Sequence, residues 1–123
     1  MRILLVDDQS FIKHIYSKEL EKHGHTVICA EDGLDALKSL PVSNIDVILL
    51  DVIMPNLNGF ETCKKIKTNP KTKDIPVIFL TANADKDTIF NAIRVGGSDF
   101  VIKSSDCNIL LEKLDNLFPD KKT

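Results

Sequence analysis

Residues 45–55 read Ile45-Asp46-Val47-Ile48-Leu49-Leu50-Asp51-Val52-Ile53-Met54-Pro55. Four consecutive aliphatic residues, 47–50, without polar alternation describe a strand buried on both faces, which is the signature of a parallel sheet covered by helices. Outward from this stretch the same texture recurs, and strands are expected at 3–6, 26–30, 45–50, 77–80 and 100–102. The intervening segments carry apolar residues three and four apart, as in Ile12, Ile15, Tyr16 and Leu20, or Leu110, Leu114 and Leu117, and read as amphipathic helices. The first runs from near Ser10 to Gly24, a glycine suited to a left-handed stop, and the second follows Asp32 and ends before Pro41. The third opens at Asn58-Gly59 and ends before Pro70, the fourth covers about 85–95 ahead of Gly96-Gly97, and the fifth opens near Ser105 or Asp106. The chain is therefore an α/β protein of (βα)5 pattern, a five-stranded parallel sheet with helices on both faces and right-handed crossovers.

With 123 residues, 43% hydrophobic and 28% charged, there is room for one domain, expected over 1–118, and a polar tail over 119–123. A formal charge of −2 is not the basic balance of a nucleic-acid binder. The longest apolar runs, four residues each, are far short of the roughly twenty that span a bilayer, so neither nucleic acid nor membrane is an expected partner. The short N-terminal run stops at Asp7-Asp8 and has no cleavage site, which predicts a cytoplasmic chain. Cys29, Cys63 and Cys107 are odd in number and widely spaced, and are expected to be reduced core residues. His14, His23 and His25 with Cys29 match no zinc spacing, and Lys64, Lys65, Lys67, Lys71 and Lys73 read as a solvated basic face.

Parallel strands all point one way, so the residues that follow the apolar runs collect along one edge. Here those residues are Asp7 and Asp8, Asp51, Thr81 and Lys103: three carboxylates, a hydroxyl and an ammonium. In a doubly wound order 2-1-3-4-5, strands one and three are neighbours and Asp51 faces Asp7 and Asp8 across the switch point where such folds bind ligands. Clustered carboxylates repel one another unless a cation relieves them, and hard oxygen donors without His or Cys favour Mg2+. A nucleophilic carboxylate beside that ion, a lysine and a hydroxyl is suited to accepting a phosphoryl group.

These residues resemble, in order and register over essentially the whole chain, the receiver domains of two-component response regulators. Asp7-Asp8 is similar to that family's acidic pair, and Asp51-Val52-Ile53-Met54-Pro55 with Gly59 to its D-x-x-M-P-x-x-x-G acceptor motif. Thr81-Ala82 matches its hydroxyl and small residue, and Lys103 its lysine. The resemblance implies a flavodoxin-like fold of strand order 2-1-3-4-5 and a signalling switch rather than an enzyme. It implies that Asp51 takes a phosphoryl group from a histidine kinase or phosphotransfer protein with Mg2+ as cofactor. Asp8, Asp51 and the backbone carbonyl of Ile53 would hold the ion, with Asp7 acting through a bound water. Lys103, Thr81 and the Ala82 N–H would contact the phosphoryl oxygens, and Phe100 would be the switch aromatic that swings inward as Thr81 moves. Output would pass through helix 4, strand 5 and helix 5 to a downstream protein, the chain being a monomer or a phosphorylation-dependent dimer. Lys86, Asp87, Asn91 and Arg94 are candidate exposed residues of helix 4; Leu111 could widen an apolar stripe on helix 5, whereas Phe118 is expected to complete the core.

The chain departs from the family pattern at Ser104, where proline usually follows the lysine in a cis bond. A non-proline cis bond costs about 2.5–4 kcal/mol, so Lys103–Ser104 is expected to be trans and Ser105 to leave the last helix with a polar start, altering partner specificity. Ile53 and Asn83, two residues beyond the acceptor and the threonine, cannot act as bases, which predicts a moderate to long phosphoryl lifetime. Two other readings stay open. A Mg2+-dependent phosphatase with an aspartate nucleophile needs a second aspartate where Ile53 stands, and a phosphorylation-independent docking module would keep only the fold.

Overall fold

The computed structural model describes residues 1–54, 56–82, 85–103 and 107–118, with the backbone alone for 41–43. Strands and helices alternate along the chain: β1 (Arg2–Val6), α1 (Ser10–Lys22), β2 (Thr26–Ala30), α2 (Gly33–Ser43), β3 (Val47–Asp51), α3 (Gly59–Thr68), β4 (Val77–Thr81), α4 (Lys86–Arg94), β5 (Asp99–Ile102) and α5 (Asn108–Leu117). The strands form one parallel sheet of order β2-β1-β3-β4-β5, the expected doubly wound arrangement. The reversal of direction in strand order lies between β1 and β3, whose register aligns Val6 with Leu50.

Alternate residues of each strand feed two cores. Leu4, Val6, Ile48, Leu50 and Phe79 pack with Ala36 and Leu40 of α2, Cys63 and Ile66 of α3, and Ala92 of α4. Ile3, Leu5, Val47, Leu49, Ile78 and Leu80 pack on the other face with Tyr16 and Leu20 of α1 and Leu110 and Leu114 of α5. Burial of each such side chain stabilises by about 1.5–3 kcal/mol, so the central strands β1, β3 and β4 are anchored from both sides. Their carboxyl ends are therefore fixed relative to one another.

Side-chain caps open α2, α3 and α4, whereas Gln9 before α1 and Cys107 before α5 make no such bond. Asp32 accepts from the Asp35 N–H at 2.9 Å, Asn58 from Glu61 at 2.9 Å and Asp85 from Thr88 at 2.8 Å. Gly24, at φ +88°, ends α1 in the expected left-handed stop. Three expectations need correction. First, α2 does not end before Pro41 but continues to Ser43 and stops on Asn44, at φ 50°. Proline there removes only the N–H that would serve the Leu37 carbonyl, and in the last turn one lost bond does not end a helix. Second, α5 begins at Asn108, beyond Ser105 and Asp106. Third, Cys29 is exposed, its Sγ 3.4 Å from the Ser17 hydroxyl, because β2 is an edge strand; Cys63 and Cys107 are buried as expected. The expectations for Asn83, the Lys103–Ser104 bond, Ser105 and the 119–123 tail lie outside the described residues.

Candidate functional site

Sheet order alone brings the carboxyl ends of β1, β3, β4 and β5 side by side, and each delivers one polar group into the same cleft. Asp7 follows β1, is fully buried and is held by the Gln9 N–H, which donates to its Oδ1 at 2.9 Å. Asp51 ends β3 and is 4% exposed. Thr81 ends β4 and is also buried, and its carbonyl accepts the Lys103 N–H at 2.7 Å, fixing the backbone from which the lysine side chain departs. The Lys103 ammonium lies 2.8 Å from Asp7 Oδ2 and 3.0 Å from Asp51 Oδ1. One cation thus bridges two strands across the switch point.

Asp8 is exposed at the rim, and one carboxylate oxygen from each of Asp7, Asp8 and Asp51 lies within 4.8 Å of the other two. Burial pushes the Asp51 carboxyl up to about 6; the Lys103 hydrogen bond opposes this and the Asp7 charge reinforces it. Burial pulls Lys103 down, but its hydrogen bonds to Asp7 and Asp51 and their charges outweigh it, so the ammonium is held above its ordinary range. The donor set fits a hard divalent cation: the oxygens converge, no nitrogen or sulfur ligand intrudes among the described residues, and Asp51 carries an ionisation cost that a cation would relieve.

The cleft above these groups has a volume of about 440 Å³, large enough for a phosphoryl group and its cation, and is lined by Asp8, Asp51, Ile53, Thr81, Ala82 and Lys103 together with Gln9, Val52, Asp85 and Thr88. All the expected site residues except Asp7 and Phe100 appear in that wall, and Asp7 joins it through Lys103. Phe100 is half-buried on β5, packs on the α2, α3 and α4 side, and has the Lys113 ammonium 5.9 Å from its ring centre. Sequence reasoning missed Asp85 and Thr88; the capping pattern before α4 was the available signal. Of the helix 4 candidates, Lys86, Asp87 and Arg94 are exposed and Asn91 is half-buried. Leu111 packs against the core, as does Phe118, and the exposed apolar side chains on α4, β5 and α5 are instead Phe90, Ile93, Ile102 and Ile109.

The loop after β3 is closed by Gly59, whose N–H donates to the Val52 carbonyl at 2.8 Å. A β carbon at Gly59 would overlap the Asp51 carbonyl, so glycine lets α3 start flush against the end of β3.

A family profile described as the response regulator receiver domain matches residues 3–115. Protein PilH of Pseudomonas aeruginosa is 35% identical over 114 residues, covering 93% of this chain and 94% of that one. The CAI-1 autoinducer sensor kinase/phosphatase CqsS of Vibrio cholerae is 36% identical over 114 residues, 92% of this chain, and the match spans only 17% of that relative's length. The crystal structure of the response regulator protein TrrA from Thermotoga maritima, in complex with Mg2+ and BeF, superposes with a TM-score of 0.84 at 34% identity, covering 94% of this chain and 97% of that one. Among the described residues, no helix is long and apolar enough to cross a membrane.

Proposed function

The chain belongs to the response regulator receiver family, and from that premise we propose that Asp51 accepts a phosphoryl group from a phosphohistidine of a histidine kinase or phosphotransfer protein. The observation that carries this reading is the Lys103 ammonium held between Asp7 and Asp51, beneath a cleft that Thr81 and Ala82 also line. In the transfer, an Asp51 carboxylate oxygen bonds to phosphorus, the P–N bond breaks, and the donor imidazole leaves and takes up a proton. Asp51 must be ionised to attack, and its carboxyl at about 6 meets that condition near neutral pH. Lys103 then exchanges a carboxylate contact for a phosphoryl oxygen, Thr81 donates its hydroxyl to a second, and the Ala82 N–H serves a third.

Asp8, Asp51 and the backbone carbonyl of Ile53, with Asp7 behind them, would hold Mg2+. When bound, that ion neutralises charge on the transferring group and the acceptor. The domain acts as a signalling switch in the cytoplasm, and the covalent change at Asp51 is read by a downstream protein through α4, β5 and α5, with Phe100 moving inward behind Thr81. The exposed Phe90, Ile93, Ile102 and Ile109 supply apolar area on that surface.

The test is intact mass after incubation with Mg2+ and a small acyl phosphate, beside an Asp51→Asn variant and a chelator control. One phosphoryl adduct that requires both Asp51 and Mg2+ is expected. Absence of Mg2+ binding would favour a phosphorylation-independent docking module. A phosphatase is disfavoured because Ile53, 81% exposed at the cleft wall, has no proton to give a leaving group.

A further inference from the structure

The loop between β3 and α3 carries Ile53 into the wall of the acidic cleft, and its base is fixed by the Gly59 to Val52 hydrogen bond. Its far side is held by a different element. Asn56 adopts φ +69°, the left-handed region that asparagine tolerates better than most side chains, and its amide nitrogen donates to Asp32 Oδ2 at 3.0 Å. The other oxygen of Asp32 accepts the Asp35 N–H at 2.9 Å and so caps α2. The Asp35 N–H first, and the Asn56 amide after it, keep the Asp32 carboxyl below its ordinary range. One carboxylate, with an oxygen for each task, therefore pins the loop to the first turn of a helix that packs into the core through Ala36 and Leu40.

We infer that Asn56 and Asp32 form a positioning pair that sets the affinity of the acidic site for its divalent cation by holding the loop that presents Ile53. Neither residue lies in the cleft wall. The inference rests on the metal-binding reading above. It follows from chain geometry: Asn56 is three residues from Ile53 in a loop whose base is fixed by the Gly59 to Val52 hydrogen bond, and its contact with Asp32 is a second anchor on the same loop. A carbonyl that must be ordered as the cation arrives binds it more weakly than one already in place.

The test is Mg2+ titration by calorimetry on the whole chain, with the thermal midpoint of each variant measured in the absence of metal. Asn56→Gly keeps the left-handed backbone and removes the amide; it is expected to weaken Mg2+ binding about three- to tenfold, the worth of one hydrogen bond to a charged group at an exposed site. Asn56→Asp sets two carboxylates against each other and is expected to weaken it further. Combining Asn56→Asp with Asp32→Asn restores a donor facing an acceptor, since Asn still caps α2 through its oxygen, and should return affinity to within about twofold of the parent. A merely structural pair would lower the metal-free midpoint of Asn56→Gly and leave affinity alone, and that result overturns the inference. So does an Asn56→Asp variant that binds Mg2+ more tightly, because the position would then be a ligand, and so does a failed rescue by the double variant. A parent chain that does not bind Mg2+ sinks the metal-binding reading itself and the inference with it.

Discussion

Asp51 carries two demands that pull apart. Its burial makes ionisation costly, yet the proposed transfer needs the carboxylate. In the fold the carboxyl sits at about 6 against an ordinary value of 3.8, so between these values the folded chain keeps a proton that the unfolded chain releases. This contribution to stability is present below about pH 4 and is lost as pH rises through about 6. Asp51→Asn should therefore be more stable than the parent at pH 7 without metal, by up to ~3 kcal/mol, with the difference shrinking toward pH 5. Denaturant melts at several pH values check the sign. Ile53 sets a second expectation: replacing it with asparagine gives an approaching water a hydrogen-bond partner and should speed loss of the phosphoryl group about 3- to 10-fold, read as decay of the phosphorylated mass.

At the scale of elements, α4 is the one whose first turn forms part of the site wall, through Asp85 and Thr88. Asp85→Ala removes the cap and should lower the thermal midpoint, with faster hydrogen exchange at Thr88, whereas Asp85→Asn, which still accepts from the Thr88 N–H, should leave both unchanged. Elements were also where the sequence was most and least legible. Short aliphatic runs located all five strands: β1, β3 and β4 are buried on both faces, and the edge strands β2 and β5, more exposed, were found by their β-branched residues and their place between helical segments. The strand ends located Asp7, Asp51, Thr81 and Lys103, and with them most of the cleft. The overrun of α2 past Pro41 was hidden because a proline's cost depends on how many turns follow it. The rotational phase of α5 was legible in Leu110 and Leu114, which point inward, but how far its flanks are covered was not: Ile109 is exposed and Leu111 is half-buried. That one cation would span two carboxylates could not be read, because it depends on side-chain reach across the sheet. The link between Asn56 and Asp32, 24 residues apart, left no periodic trace.

The whole molecule couples site to stability, since the groups that would bind a cation also cap the central strands. Ligand that binds only the folded chain raises its stability by mass action. At pH 7.5, Mg2+ at about a hundred times its dissociation constant should stabilise the parent by ~2.7 kcal/mol, a rise of several degrees in thermal midpoint for a domain of this size. The shift should fade below pH 6 as protons compete for Asp51, and should be much smaller in Asp51→Asn. A full shift retained at pH 5 would place the cation elsewhere on the surface.

The position of the Lys103 ammonium, 2.8 Å from one carboxylate and 3.0 Å from the other, also bears on sequence in time. A cation engaged twice over has little attraction left for an arriving anion. Whatever divalent ion takes over those oxygens sets the lysine free within the same cleft, with its charge unspent. The expected kinetics are ordered, metal leading and phosphoryl donor following, so that saturating donor cannot compensate for scarce metal.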